Sequence, residues 1–486
     1  MKTFVTIIGL VAGCLFSTAA EKPNILFLFA DDQCFETIAK FGMTDIDTPN
    51  LDKLVERGTT FTHTYNMGSW SGAVCVASRH MINTGAFVWD AQKISENLDP
   101  SGKKKPKPGA PPAQWPDFQK ENLMWSQLMS RAGYDTYFTG KWHVRANPTK
   151  IFDVAKNVRA GMPNQTKEGY NRPIDGQPDP WDPSDPKFGG FWKGGKHWSE
   201  VVADDAGEFI ATAKDKEDPF FMYIAFNAPH DPRQSPEEYV DRYPLDRIAM
   251  PENFLTEYPY KDKIDCSAGL RDEKLAPFPR TENSVKVNRQ EYYAIITHMD
   301  YQIGRILDAL EKSGKQENTY IFFTADHGLA VGHHGLMGKQ NLFDHSIRVP
   351  MMVVGPGVKA GVENHAPVYL QDIMATSLEL GGAEKPSHVQ FQSLKPVWEG
   401  KSNGYEAIYG GYLKSQRCVV KGDHKLMLFP NVPKVQLFDL KSDPNEMNDI
   451  YESNKGLAKE LFAEFLALQE ETNDPLDVAS TFPELQ

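Results

Sequence analysis

Cysteine is scarce in this chain: five in 486 residues, at positions 14, 34, 75, 266 and 418. So few thiols at this length do not make a disulfide scaffold. The fold must rest on a buried core, and the length suits one large α/β unit with a smaller one beside it. An excess of basic charge is also missing, with 52 Lys and Arg against 65 Asp and Glu and a net charge of −13. That argues against a nucleic-acid or general polyanion surface, so any anion recognition has to be concentrated in a local pocket. Internal repeats are absent, and beyond residue 20 no apolar run is long enough to span a bilayer.

The first 20 residues read as an export signal: Lys2, the apolar run Phe4–Phe16, then Thr18-Ala19-Ala20 before Glu21. Two processing routes are open. Cleavage after Ala20 leaves a periplasmic or secreted protein, whereas Val11-Ala12-Gly13-Cys14 offers a lipoprotein route through Cys14. Loss of Lys2 leaves 51 basic against 65 acidic residues, a net charge of −14.

What is present is a series of short apolar runs that each end in chemistry. Ile25–Ala30 reads as a central parallel strand buried on both faces, followed at once by Asp31 and Asp32. Open α/β folds bind ligands at the carboxyl edge of such strands. Two adjacent carboxylates there repel unless a cation lies between them, so a divalent metal is expected. Strand Thr319–Thr324 delivers a third carboxylate, Asp326, with His327 beside it. Tyr134–Thr139 leads to Gly140-Lys141-Trp142-His143, where Lys141 and His143 at alternate positions share one side of an extended segment and can grip an oxyanion and pass a proton. Pro219–Phe226 ends in Asn227-Ala228-Pro229-His230, which puts His230 just past another strand end.

Around Cys75 the pattern is Cys-x-Ala-Ser-Arg, with Arg79 at its end and a short helix closing near Gly85. A reactive group at the start of that helix meets unpaired N–H groups and the positive dipole end, which suits an anionic substrate. Helices are expected at Leu51–Val55, Leu123–Ala132, Val201–Ala213, Arg289–Leu310 and Gln371–Leu380. Residues 95–116, rich in Lys and Pro, read as a solvated loop. Residues 145–200 read as an insertion at the pocket rim, whose Trp181, Trp192 and Trp198 either stack on sugar rings or cover local apolar surface. Four strands in 405–440 and a helix from about Lys455 to Glu470 close the chain.

The Cys-x-Ala-Ser-Arg segment resembles the signature of sulfatases in which that cysteine is oxidised to formylglycine. Pro49–Leu54, Gly-Lys-Trp-His, Pro229-His230, Asp326-His327 and Phe343–Pro350 resemble the family in the same order along the chain. The resemblance implies an alkaline-phosphatase-like α/β sandwich with a central, mostly parallel sheet and a smaller C-terminal subdomain with an antiparallel sheet. It divides the chain into a signal (1–20), a catalytic domain (21–382) and the subdomain (383–486). It further implies sulfate ester hydrolysis, with calcium or another divalent ion held by Asp31, Asp32, Cys75, Asp326 and His327. Lys141, His143, Lys339 and, more weakly, His334 would hold the sulfate; His230 would protonate the leaving oxygen; Arg79 would support the nucleophile at 75 and His143 would serve as base. The implied partners are a sulfated carbohydrate and the maturation enzyme that makes formylglycine. With Cys75 modified, the mature chain keeps three thiols and at most one disulfide. The competing readings are a phosphodiesterase or phosphonate monoester hydrolase on the same fold, and a silent binder of sulfated glycans. Which sugar, exo or endo action and the oligomeric state stay open.

Overall fold

The computed structural model describes residues 21–101 and 114–486. The export segment, with Cys14, and most of the Lys/Pro loop lie outside the described residues. Eight strands make the main sheet: β1 (Asn24–Ala30), β2 (Thr59–Phe61), β3 (Asp135–Lys141), β4 (Val154–Arg159), β5 (Phe220–Ala225), β6 (Thr319–Ala325), β7 (Met351–Val354) and β8 (Val362–Asn364). Their order across the sheet is β8-β2-β7-β6-β1-β5-β3-β4. β1 lies at the centre, parallel to β6 and to β5, with Leu28 beside Phe323 and Ile224. β7 runs antiparallel to β6.

Every residue of β1, β5 and β6 is buried. Continuous apolar runs are stable only where both faces of a sheet are covered, and that is what parallel sheets require. The cover includes α1 (Pro49–Arg57), α2 (Val74–Thr84), α3 (Trp198–Ala213) and α4 (Glu282–Lys312). α4 packs on both α3 and α1, while α2 packs on the helices Trp125–Arg131 and Asp372–Leu380. A buried carboxylate ties α4 to the start of α1: Asp300 accepts N–H bonds from Asn50 at 3.1 Å and Leu51 at 2.7 Å.

α4 starts seven residues before the expected Arg289. Its first turns carry no apolar stripe, and they are fixed by a reciprocal cap: Thr281 Oγ1 accepts from the Ser284 N–H at 3.1 Å while Ser284 Oγ accepts from the Thr281 N–H at 3.2 Å. The C-terminal sheet runs β9 (Ile408–Tyr412), β10 (Gln416–Lys421), β11 (His424–Phe429) and β12 (Lys434–Asp439), antiparallel throughout, and is followed by α5 (Lys455–Glu471). It extends into the other half of the molecule, because β9 pairs in parallel with Gly68–Ser69, just ahead of α2. Gly68 has φ +110°, and a Cβ there would lie 2.0 Å from the Gly411 carbonyl oxygen, so only glycine permits this pairing. Cys34, Cys75, Cys266 and Cys418 are buried free thiols, so no disulfide forms among the described residues.

Candidate functional site

Three parallel strands end on the same edge of the sheet, and each end supplies side chains to one point. β1 delivers Asp31 and Asp32, β6 delivers Asp326 and His327, and β3 ends on Lys141. Asp32 takes φ +66°, which a short polar side chain tolerates, and its N–H donates to Asp326 Oδ1 at 3.1 Å. Facing these ends is the first turn of α2, with Cys75 as its second residue. Ala73, at the helix N-cap, makes no side-chain cap, which leaves the first N–H groups of α2 without one.

The polar neighbours of the Cys75 sulfur include His327 Nε2 at 3.3 Å, Lys339 Nζ at 3.4 Å and Asp32 Oδ1 at 3.7 Å. Burial opposes ionisation of the thiol, yet Lys141, Lys339 and His327 hold it well below the ordinary cysteine range. Arg79, one turn along α2, is wholly buried. It donates through Nε to Asp326 Oδ2 at 2.9 Å and through Nη1 to the Lys141 carbonyl at 2.8 Å, and it lies over the Phe29 ring. Arg79 thus braces the strand ends rather than facing the cavity. Lys141 pairs with Asp31 beneath the same surface.

A cavity of 230 Å³ opens on Cys75, and His143, His230, Lys339, Arg271 and Asp272 are among its walls. His143 reaches it by a route the expected extended segment did not include, since its backbone takes φ +56°. Its ring stands beside the thiol and against Gly161, where a Cβ would come within 2.3 Å of Nε2. Burial lowers the His143 pKa. His230 Nδ1 faces the Asp231 carbonyl at 2.7 Å and Asp231 Oδ1 at 3.2 Å. Both are acceptors, so the proton sits on Nδ1 and the neutral ring leaves Nε2 to accept from Lys339 Nζ at 2.9 Å.

A metal fits the donors below the cavity. Asp31, Cys75, Asp326 and His327 each offer one atom, all within 4.8 Å of one another, a spread that suits one ion about 2.3–2.6 Å from its oxygen ligands. Asp31 Oδ1 is buried and has no hydrogen-bond partner. Burial and the neighbouring Asp326 push the Asp31 carboxyl well above the usual carboxylate range in spite of Lys141, the condition a cation relieves. His327 Nδ1 donates to the Gly328 carbonyl at 2.8 Å; against burial, Asp326 and Asp32 raise the ring's pKa to about 9, so Nε2 carries a proton that a cation bound among these donors would displace. Asp32 belongs to a second cluster, with Cys75 and His230, and both its oxygens accept from Lys339.

His334 is not brought to this site. With φ +51° in the turn Gly332–Gly335, its ring stacks on Phe343 at 4.0 Å and its Nε2 meets the Glu446 carbonyl at 3.1 Å. Trp181, Trp192 and Trp198 cover local surface: Trp181 stacks on Phe188 at 4.8 Å, Trp192 lies edge-on to His197, and the Arg159 guanidinium sits 4.2 Å over Trp198. Sequence reasoning passed over Asp231 and Gln340, although each directly follows a residue it singled out. Arg271 and Asp272 lie in the irregular stretch 231–288 and carried no local signal.

A family model described as Sulfatase matches residues 23–383, and one described as N-sulphoglucosamine sulphohydrolase, C-terminal, matches residues 332–471. The N-acetylglucosamine-6-O-sulfatase of Bacteroides thetaiotaomicron is 26% identical, with 94% of this chain and 88% of that protein covered. Among solved structures, one of a protein in complex with its substrate D-glucosamine-2-N,6-O-disulfate has a TM-score of 0.70 at 24% identity, covering 94% of this chain and 99% of that one. A phosphonate monoester hydrolase from Silicibacter pomeroyi has a TM-score of 0.69 at 18% identity over 94% and 97% of the two chains. At these identities the structural likeness is one of fold alone.

Proposed function

The chain belongs to the sulfatase family and is a sulfuric ester hydrolase, and from that premise we propose that it removes sulfate from a carbohydrate through a formylglycine made from Cys75, with calcium held by Asp31, Asp32, Asp326, His327 and the group at position 75. The observation that carries this reading is the placement of Cys75. It lies at the N-terminal turn of α2, at the base of a cavity, within 3.7 Å of a carboxylate, an imidazole and an ammonium. No structural role calls for those three groups around one thiol, and an anionic ester calls for each of them.

Formylglycine would supply a hydrated aldehyde as nucleophile toward sulfur, and the ion would supply positive charge beside it. The remaining work falls to the chain's own side chains. Lys339 and His143, on the cavity wall, hold sulfate oxygens and oppose the charge that develops as the S–O bond breaks. Lys141, beneath, sets Asp31, and Arg79 fixes Asp326 and the Lys141 carbonyl, so both act by positioning. Lys339 Nζ donates to His230 Nε2, and the proton of that hydrogen bond lies where the pair can pass it to the leaving oxygen. His143, kept neutral by burial, is placed to accept a proton at the position of residue 75.

A carbohydrate substrate is supported by relatives named as N-acetylglucosamine sulfatases. An exported protein fits the first 20 residues, and no helix among the described residues is long and apolar enough to cross a membrane. The test is the mass of the tryptic peptide Gly58–Arg79 from protein made in its native host, followed by turnover of N-acetylglucosamine 6-sulfate and of matched aryl sulfate and aryl phosphonate esters. A peptide about 18 Da lighter than the thiol form marks the cysteine-to-formylglycine change. An unmodified thiol in active protein, or phosphonate hydrolysed in preference to sulfate, overturns the reading.

A further inference from the structure

The two groups that meet above Cys75, His230 and Lys339, are each backed by a carboxylate. Asp231 stands behind His230, with Oδ1 3.2 Å from Nδ1. Asp272 Oδ2 stands 3.8 Å from Lys339 Nζ and accepts from Gln340 Nε2 at 2.6 Å. Gln340 in turn donates to the Gly72 carbonyl at 3.0 Å and accepts from the Lys339 N–H at 3.0 Å. Asp272 is therefore linked both to the lysine and to the segment that enters α2.

One residue joins the two carboxylates. Arg271 bonds both oxygens of Asp231 through Nη1 and Nη2, and its Nη2 also pairs with Asp272. A planar guanidinium holds two carboxylates in a fixed relation that a flexible ammonium cannot reproduce. Its side chain is one-third exposed on the cavity wall, so it is close enough to the reacting atoms to be mistaken for a sulfate ligand. Its charge, however, is already met by two carboxylates. An anion arriving there would have to displace one of them, which leaves that carboxylate buried beside His230 or Lys339 without its partner.

We propose that Arg271 is a positioning residue for ester cleavage: by bridging Asp231 and Asp272 it sets His230 and Lys339 at their 2.9 Å separation, so that the proton on that pair meets the leaving oxygen. The inference rests on the sulfatase reading above, and it gives the irregular stretch 231–288 a part in the chemistry. Small errors in the placement of a proton donor are costly, on the order of 100-fold for a displacement near 1 Å. The cost rises with the basicity of the leaving group, because a good leaving group departs without a proton.

The experiment is kcat and KM for Arg271→Gln and Arg271→Lys across aryl sulfates whose phenols span a range of basicity, with thermal melting of each protein. Arg271→Gln is expected to lose on the order of 100-fold in kcat on the most basic phenol and far less on 4-nitrophenyl sulfate. KM should be nearly unchanged, and Arg271→Lys should fall between the two. Three outcomes overturn the proposal: an equal loss across the series with a lowered melting point, which marks a merely structural role; a raised KM with kcat preserved, which marks a substrate contact; and no change. Should Arg271→Gln fail to fold, Asp272→Asn removes one arm of the bridge and is read by the same slope, a flat one overturning the proposal. Turnover of aryl sulfates by the parent protein tests the premise separately. If the parent hydrolyses aryl phosphonates instead, the same series in that ester decides the role of Arg271.

Discussion

Asp32 holds the Lys339 ammonium with both carboxylate oxygens, at 2.9 and 2.7 Å, and both residues are buried. Removing the lysine leaves the buried Asp32 carboxylate with only the His327 and His230 rings beside it, at a cost of up to about 3–5 kcal/mol. Lys339→Ala should therefore unfold at lower denaturant in calcium-free buffer and lose roughly 100- to 1,000-fold in kcat. Adding calcium should narrow the stability gap, because the ion takes over the charge of Asp32. An equal gap with and without calcium argues that Asp32 does not face the metal.

Cys75→Ala should abolish turnover while leaving the melting point within a few degrees. The sulfur stands among charged groups at the base of an open cavity, so little apolar packing is lost with it. Activity and melting are measured on the same preparation. Undiminished sulfate release from the variant would refute the proposed nucleophile.

Chelation should inactivate the protein and destabilise it together. Asp31, Asp32 and Asp326 are packed at the ends of two adjacent strands, and an ion bound at 100 times its dissociation constant adds about 2.7 kcal/mol. Calcium should restore both properties in step, and the rise in melting point with calcium concentration gives the affinity. A melting point indifferent to chelator and calcium speaks against an ion among these carboxylates.

His80 gives the fold an acid limit. It is buried in α2, its Nδ1 donating to the Val76 carbonyl at 2.6 Å and its Nε2 accepting from the Arg145 N–H at 3.0 Å, and burial lowers its pKa to about 4. Between pH 4 and the free-histidine value near 6.5 the unfolded chain binds the extra proton. Stability from this group is therefore complete above that window and is lost as pH falls through it, by about 2 kcal/mol at pH 5. Urea unfolding of the parent and of His80→Gln at pH 7.5 and pH 5 reads the effect. A variant with the parent's full pH dependence shows that His80 does not set the limit.

Much of the sheet was legible because buried parallel strands are written as uninterrupted apolar runs: Ile25–Ala30, Phe220–Ala225 and Thr319–Thr324 all fall in the expected places. The acids and histidines that follow those runs were legible for the same reason, since the carboxyl edge of a parallel sheet is one place in space. The start of α4 was hidden because its first turns are stabilised by a cap rather than by an apolar stripe. His334 was misjudged because a left-handed residue inside a glycine turn sends its ring where neither helical nor strand periodicity points. Asp231, Arg271, Asp272 and Gln340 act through side-chain contacts between segments far apart in the chain, and no local pattern encodes such contacts.

The pairing of Gly68–Ser69 with β9 also sets a timetable. Gly411 leaves the ribosome 343 residues after Gly68, so the segment leading into α2 cannot be locked until nearly the whole chain has been made. Once locked, Cys75 is only 2% exposed, out of reach of any protein that would have to draw it into its own active site. If Cys75 is matured to formylglycine as proposed, its oxidation by another enzyme has to precede closure of the C-terminal sheet. A sequence change that quickens the docking of β9 would shorten the interval for maturation and yield well-folded, inactive protein.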